Sequence, residues 1–410
     1  MDIENIEKDK CTGCGSCADV CPAHAVTMVH DSEGFAYPKV DRNRCMDCGL
    51  CRISCPAVCC RTSVYGEYAA VLPDRGAGKE NWYAAYNRNE KERKESSSGG
   101  MFSLFAKAVL GMDGVVCGAY FDPVRQEVCH IIIEKEDEIR MLRSSKYIQS
   151  DMTGIYKKVK KTVRSGKPVL FTGTPCQTRA VARYMGEEKP DLLYTADLFC
   201  HGISSGRIFR KYVSETLCGE EASQVSFRNK DRGWERYGME IITDGGHRYR
   251  RPHGSDPFLT AFFTGLTLRP SCYGCRSKGF PRESDITMGD FWMADRIMPD
   301  MNDHRGLSLL VTHTGKGERL LGMVRREAEI RRIPEETVLE TYAISGSPVK
   351  RPAERNAFFG MMQEKGFLAA AKAYAKRPLR QRIMFCLRKI LVKTGIYKYV
   401  QNIKRQAGRR

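Results

Sequence analysis

Eight cysteines between residues 11 and 55 fall into two copies of one pattern. Cys11, Cys14, Cys17 and Cys21, followed by Pro22, read C-x2-C-x2-C-x3-C-P, and Cys45, Cys48, Cys51 and Cys55, followed by Pro56, repeat it. Three thiols at two-residue gaps wrap a tight loop and reach three irons of one 4Fe-4S cube, while the fourth lies too far round and ligates the other cube. One cube is thus expected on Cys11, Cys14, Cys17 and Cys55, the second on Cys45, Cys48, Cys51 and Cys21. Gly13, Gly15 and Gly49 suit backbone packed closely on sulfide, and each proline ends its loop. A zinc module of CxxC knuckles is the rival, but zinc needs neither the third CxxC step nor the trailing Cys-Pro. Cys59 and Cys60 lie outside the pattern and read as spare thiols.

A third set is less regular. Cys176 and Cys200 each stand where a strand ends and a helix begins, and Cys272 and Cys275 form another CxxC. Such strand ends gather on one edge of a parallel sheet, where ligands bind, and helix N-termini there favour an anionic, thiolate-rich group. Four thiolates suffice for a third cluster or for zinc. Spacing alone does not separate either from isolated core cysteines.

The elements that position these residues follow from periodicity and turn signals. PVLFT (168–172) is a buried strand that turns at Gly173-Thr174-Pro175 into a helix, and LLYTADLF (192–199) is another, turned by Cys200-His201-Gly202 into a helix near Ser204. Strand–turn–helix units in series argue for a parallel α/β core. GVVCGAYFD (114–122) and EVCHIIIEK (127–135) read as a hairpin, and residues 153–167 as a basic-faced helix. SSSGG (96–100) sits at the N-terminus of the helix MFSLFAKAVL. Short strands are expected at 224–228, 238–243 and 246–250, a helix at 256–265, and strands in DITMGDFW (285–292) and GLSLLVTH (306–313).

The 410-residue chain is long enough for two or three domains. Its polar start, MDIENIEKDK, is not a signal peptide, and no apolar run is long enough to span a bilayer. A cytoplasmic protein with metal-binding rather than disulfide-bonded cysteines is expected. The net charge is +18, but residues 372–410 hold 13 Lys and Arg and no acid, which leaves +5 for the rest. Within that tail Ile383, Leu387, Ile390 and Leu391 recur at helical spacing among basic residues. Three readings stand for it: a docking helix, a helix on an anionic membrane surface, and a nucleic-acid contact. No nucleic-acid-binding fold accompanies the charge, so specific nucleic-acid binding is not expected.

Residues 1–60 resemble bacterial two-cluster ferredoxins. The segments SSGGMFSLFA (97–106), LRSSKYIQS (142–150), KPVLFTGTPCQ (167–177), ADLFCHGISS (196–205), FRNKDRGW (227–234) and LRPSCYGC (268–275), with GVVCGAYFD and DITMGDFW, resemble the beta subunit family of coenzyme F420 hydrogenases and dehydrogenases. The resemblance implies a third 4Fe-4S cluster on Cys176, Cys200, Cys272 and Cys275, with His201 behind it, and FAD in the same domain. Candidate flavin contacts are Ser97, Ser98, Gly99 and Gly100 at a helix start, Lys146, Tyr147 and Gln149 as cation, stacking ring and amide, and Thr172, Gly173, Thr174 and Gln177 beside the cluster cysteine. There is no GxGxxG fingerprint and no P-loop.

The expected fold is therefore an α+β ferredoxin-like module (1–62), a linker (63–81), an α/β flavin and 4Fe-4S oxidoreductase domain (82–335) and a helical extension with the basic tail (336–410). The expected activity is a ferredoxin- or F420-linked, FAD-dependent oxidoreductase with a small organic acceptor or donor. Ferredoxin or another redox protein is its expected partner. Its rival is an electron-transfer subunit that serves a partner enzyme and has no substrate of its own.

Overall fold

The computed structural model describes residues 3–58, 80–186, 190–334 and 347–376. Cys59, Cys60, residues 63–79 of the expected linker and the tail from residue 377, with its Ile383–Leu391 periodicity, lie outside the described residues.

In the N-terminal module, short helices Ser16–Val20 and Leu50–Ile53 start inside the two cysteine loops. Strands β1 (Val26–His30) and β2 (Ala36–Val40) pair antiparallel between them. Its small core is made of Ile3, Ala25, Val26 and Val40 together with Cys17, Cys21 and Cys55. The thiols are part of the core itself.

The larger body is built on a nine-stranded mixed sheet. Its strands are β3 (Asn81–Asn87), β4 (Val115–Asp122), β5 (Glu127–Ile133), β6 (Ser150–Asp151), β7 (Val169–Thr172), β8 (Leu193–Leu198), β12 (Ile286–Asp290), β13 (Ser308–Thr312) and β14 (Ala328–Ile333). The order is β14-β3-β13-β12-β8-β7-β4-β5-β6. The expected parallel series is present at the centre, where β4, β7, β8 and β12 run parallel. Both flanks depart from it, because β13, β3 and β14 add antiparallel and β5 folds back on β4. A tight turn can return the chain only antiparallel, whereas a parallel step needs a crossover helix. The continuous apolar runs VLFT and SLLVT are the buried middle strands, as a sheet covered on both faces requires.

A separate three-stranded antiparallel sheet, β9 (Ala222–Asn229), β10 (Gly238–Thr243) and β11 (Arg248–Pro252), packs beside it. The aromatic core there, with Phe209, Tyr212, Phe227 and Phe258, also takes Phe358, Met362 and Phe367. Those last three come from helices Arg355–Lys365 and Phe367–Tyr374. The described part of the 336–410 extension is thus built into the body rather than appended to it. No helix among the described residues is long and apolar enough to cross a membrane.

Candidate redox centre

The two N-terminal cysteine sets line two separate cavities. Cys11, Cys14, Cys17 and Cys55 face one of about 310 Å³, and Cys21, Cys45, Cys48 and Cys51 face one of about 400 Å³. In each, the last cysteine of one motif joins the first three of the other. Burial pushes the Cys55 thiol up to about 12 and raises Cys14 and Cys17, and repulsion from neighbouring thiols adds to it. Bare thiolates are therefore disfavoured there unless a cationic group compensates them. The first set is mostly buried, whereas Cys48 of the second is exposed.

The body holds the module on its first-set side. Asp19 accepts hydrogen bonds from the backbone N–H of Gly154 (2.8 Å) and Tyr156 (3.1 Å), so a module carboxylate caps the body helix Ile155–Arg164. The Tyr156 hydroxyl donates to the Cys14 carbonyl at 2.7 Å. Arg355 grips Glu33 with both terminal nitrogens and donates from Nε to the Tyr273 hydroxyl. Arg269 donates to the carbonyls of Cys11 and Ala36 and to Gln149 Oε1.

The third set also converges. Cys176 lies in the first turn of helix Pro175–Met185, after β7, and Cys200 follows the adjacent parallel strand β8. Cys272 ends the turn Pro270–Cys272, and Cys275 follows it. Burial pushes Cys200 and Cys272 up to about 12 and raises Cys176 as well, and repulsion from neighbouring thiols adds to each. Among the described residues, only Glu235, Asp295 and His304 bring three metal-donor atoms within 4.8 Å of one another. A zinc ion with bonds of about 2.3 Å would draw its sulfurs to about 3.8 Å apart. No three thiols among the described residues approach so closely. His201 packs against Phe262 and Phe263 rather than standing at the surface, and burial pushes its imidazole down to about 4.

Between the first and third sets lies a cavity of about 1210 Å³, whose wall contains both Cys14 and Cys176. Of the expected flavin contacts, Ser97, Ser98, Gly100, Lys146, Gln149, Thr172, Gly173, Thr174 and Gln177 line it. Two expected contacts do not. Gly99 is buried between β3 and β13, where its N–H donates to Ser308 Oγ. The Tyr147 ring stacks on Phe262 at 4.7 Å inside the aromatic core.

Most lining side chains are already held by internal bonds. Gln177 Oε1 accepts from the Thr174 N–H and hydroxyl in a capping box, and Gln149 Nε2 donates to the Gly13 carbonyl at 2.9 Å. Lys146 Nζ donates to the carbonyls of Met141, Leu142 and Arg143. Burial pushes the Lys146 ammonium down to about 7.

One wall residue, His130, is not among the candidates drawn from the sequence. Its Nδ1 meets Ser150 Oγ at 2.7 Å, its Nε2 meets the Thr172 carbonyl at 2.9 Å, and burial pushes it down to about 4. The carbonyl can only accept, so Nε2 carries the proton and Nδ1 accepts from Ser150. A polar residue inside the apolar strand EVCHIII was the available signal.

Comparison with known proteins bears on both parts of the chain. Residues 10–59 match the family model of the 4Fe-4S dicluster domain. Residues 166–336 match the model for the C terminus of the coenzyme F420 hydrogenase/dehydrogenase beta subunit. No curated protein matches the chain. Among solved structures, a chain of the xenon-derivatised F420-reducing NiFe hydrogenase complex from Methanosarcina barkeri is similar at 15% identity and a TM-score of 0.44, over 71% of this chain and 89% of that one. The chain thus carries a stretch that matches the 4Fe-4S dicluster domain and, further on, one that matches the C-terminal domain of the coenzyme F420 hydrogenase/dehydrogenase beta subunit.

Proposed function

We propose that the chain is an iron–sulfur flavoprotein oxidoreductase. In this reading the two N-terminal cysteine sets hold 4Fe-4S clusters, Cys176, Cys200, Cys272 and Cys275 hold a third, and the cavity of about 1210 Å³ binds FAD beside an organic acceptor or donor, with a deazaflavin among the candidates. One observation carries the reading: cysteines of two different sets, Cys14 and Cys176, share one cavity wall. When bound, the clusters supply one-electron steps and the flavin pairs them into two-electron transfer.

The chain's own residues set access and position. Thr12, Gly13 and Cys14 close the cavity on the module side, and Ser97, Ser98 and Gly100 close it where helix Met101–Leu110 begins. Lys146 and Arg143 stand in the wall but are tied within the chain, Lys146 to three carbonyls and Arg143 to Glu95 and Ser103, so they shape it. Leu142, Ile148 and Met288 keep the space between them apolar. His130 is held neutral and doubly bonded, so it shapes the wall without offering a mobile proton.

A redox protein such as ferredoxin would meet the chain beside exposed Cys48. Met46, Leu50 and Ile53 there are 63%, 39% and 65% exposed. Transient redox encounters need only a small contact, below about 1,200 Å².

Anaerobic purification with counts of iron, acid-labile sulfide and flavin tests the reading. Three clusters give about twelve irons, with flavin near one per chain. About eight irons without flavin would remove the third cluster and the catalytic half.

A further inference from the structure

We propose that Arg269 is the counter-charge of the buried first cluster. In that role it fixes the dicluster module against the cavity and raises the reduction potential of the centre held by Cys11, Cys14, Cys17 and Cys55. The inference rests on the reading that these thiols hold a 4Fe-4S cluster.

Five arginines are buried among the described residues: Arg93, Arg228, Arg269, Arg282 and Arg355. Four have a carboxylate partner, respectively Asp303, Asp290, Asp197 and Glu33 for Arg93, Arg228, Arg282 and Arg355. Arg269, with 0% exposure, has none among the described residues. Its oxygen partners are all neutral: the Cys11 carbonyl (2.7 Å), the Ala36 carbonyl (2.8 Å) and Gln149 Oε1 (2.8 Å). Tyr37 and Phe35 cover its faces, with ring centroids 4.4 and 5.5 Å away. A guanidinium carries a permanent charge, and an unpaired buried charge is strongly unfavourable. The remaining contact supplies the anion, because Arg269 Nη2 donates to Cys11 Sγ at 3.6 Å. That sulfur is a thiolate when it ligates iron.

The same residue reaches the third set. Its carbonyl accepts from the Cys272 N–H at 2.9 Å, and its charge favours the Cys272 thiolate. One cation therefore sits between a cysteine of the first set and a cysteine of the third. The approach is tight enough to dictate the opposing residue: a Cβ on Gly13 would lie 2.5 Å from Arg269 Nη1.

Reduction by one electron from a bound reductant adds one negative charge to a site that burial already makes hostile to charge. Hydrogen bonds to ligand sulfur and a nearby cation favour the reduced form and raise the potential. Removal of the charge must lower it.

The test is an EPR-monitored redox titration of the anaerobically purified full chain, with Arg269→Gln and Arg269→Lys beside wild type. Arg269→Gln is expected to make one centre at least tenfold harder to reduce at a fixed potential, 59 mV for a one-electron couple. The most exposed centre should keep its midpoint. Arg269→Lys retains the charge and should stay near wild type. Unchanged midpoints in an iron-replete Arg269→Gln protein would overturn the inference. Where Arg269→Gln loses iron, Arg269→Lys decides: wild-type iron and midpoints support the counter-charge, and equal loss leaves a steric role and overturns it. A wild-type chain with no cluster in its module would instead remove the underlying reading.

Discussion

Residues 11–21 and 45–55 repeat one cysteine pattern, yet Gly13 of the first loop has Asp47 as its counterpart in the second. Both adopt the left-handed backbone, at φ 66° and 51°. Aspartate tolerates that conformation at some cost, and glycine takes it freely. Surroundings, not backbone, therefore decide the residue. A Cβ at Gly13 would collide with Gln149 Nε2 and Arg269 Nη1, whereas the second loop is open, and a Cβ at Gly49 would meet nothing within 4 Å. The duplicated module has become asymmetric: one loop is pressed into the body and walls the cavity, and the other faces solvent with Met46 and Ile53 exposed. The motif supplies a pair of equivalent loops, and the body gives them different surroundings, one against the cavity and one at the surface.

Deleting one ligand from each loop puts this asymmetry to its most severe test. Cys14→Ala should cost about four irons and reduce cavity turnover with any reductant, by more than the roughly 10–100-fold typical of losing an outer partner. Cys48→Ala should also cost about four irons but spare turnover driven by a small reductant such as dithionite, and abolish only that driven by a protein donor. Equal losses with dithionite would mean that the loops are not specialised. Next in size is the contrast between Gly13→Ala and Asp47→Ala, read as unfolding free energy of the iron-loaded chain. The first combines left-handed strain with overpacking, about 2–4 kcal/mol. The second has no neighbour to displace and should stay within about 1 kcal/mol. A comparable cost at both positions would contradict the account of Gly13.

A third test concerns the cavity wall. His130 titrates near 4 in the folded chain against 6.5 for the free group. Its contribution is complete above the higher value and is lost as pH falls toward the lower, because the unfolded chain then binds the extra proton. The span corresponds to about 3 kcal/mol. Denaturant midpoints measured from pH 8 to 4.5 should fall less steeply in His130→Gln than in wild type, and parallel curves would refute the assignment.

The same contrast between loops marks what could be read from residues alone. The gathering of cysteines from both motifs around shared cavities was readable because loop spacing is a local property. Strands β7 and β8 were readable from their continuous apolar runs and flanking turns. β3 and β14 were not, since NWYAAYN and AEIRRI acquire their strand character from pairing with each other. Tyr147 was misplaced for a related reason: an aromatic residue beside Lys146 looks equally fit for a ligand or a core, and only Phe262, 115 residues away, settles it. Arg269 stands in the segment LRPSCYGC, but its partners Cys11 and Ala36 come from the far end of the chain.

The mildest response is expected on the open loop. Ile53 is 65% exposed beside the second cysteine set, so Ile53→Glu should leave the unfolding midpoint within about 0.5 kcal/mol of wild type. It should also leave the dithionite-driven rate unchanged. Where the exposed edge is the meeting place for a redox protein, a buried carboxylate in that contact weakens the encounter, about tenfold for a ~1.4 kcal/mol penalty. Stopped-flow reduction by a ferredoxin, run beside dithionite on the same samples, separates the two. A ferredoxin rate equal to wild type would move the point of entry away from Cys48 and leave the second loop without its external task. A fall in both rates would instead show that the substitution disturbed the cluster itself. The outcome that preserves the asymmetry is a protein-specific loss, because only an encounter surface can distinguish a protein donor from a small one.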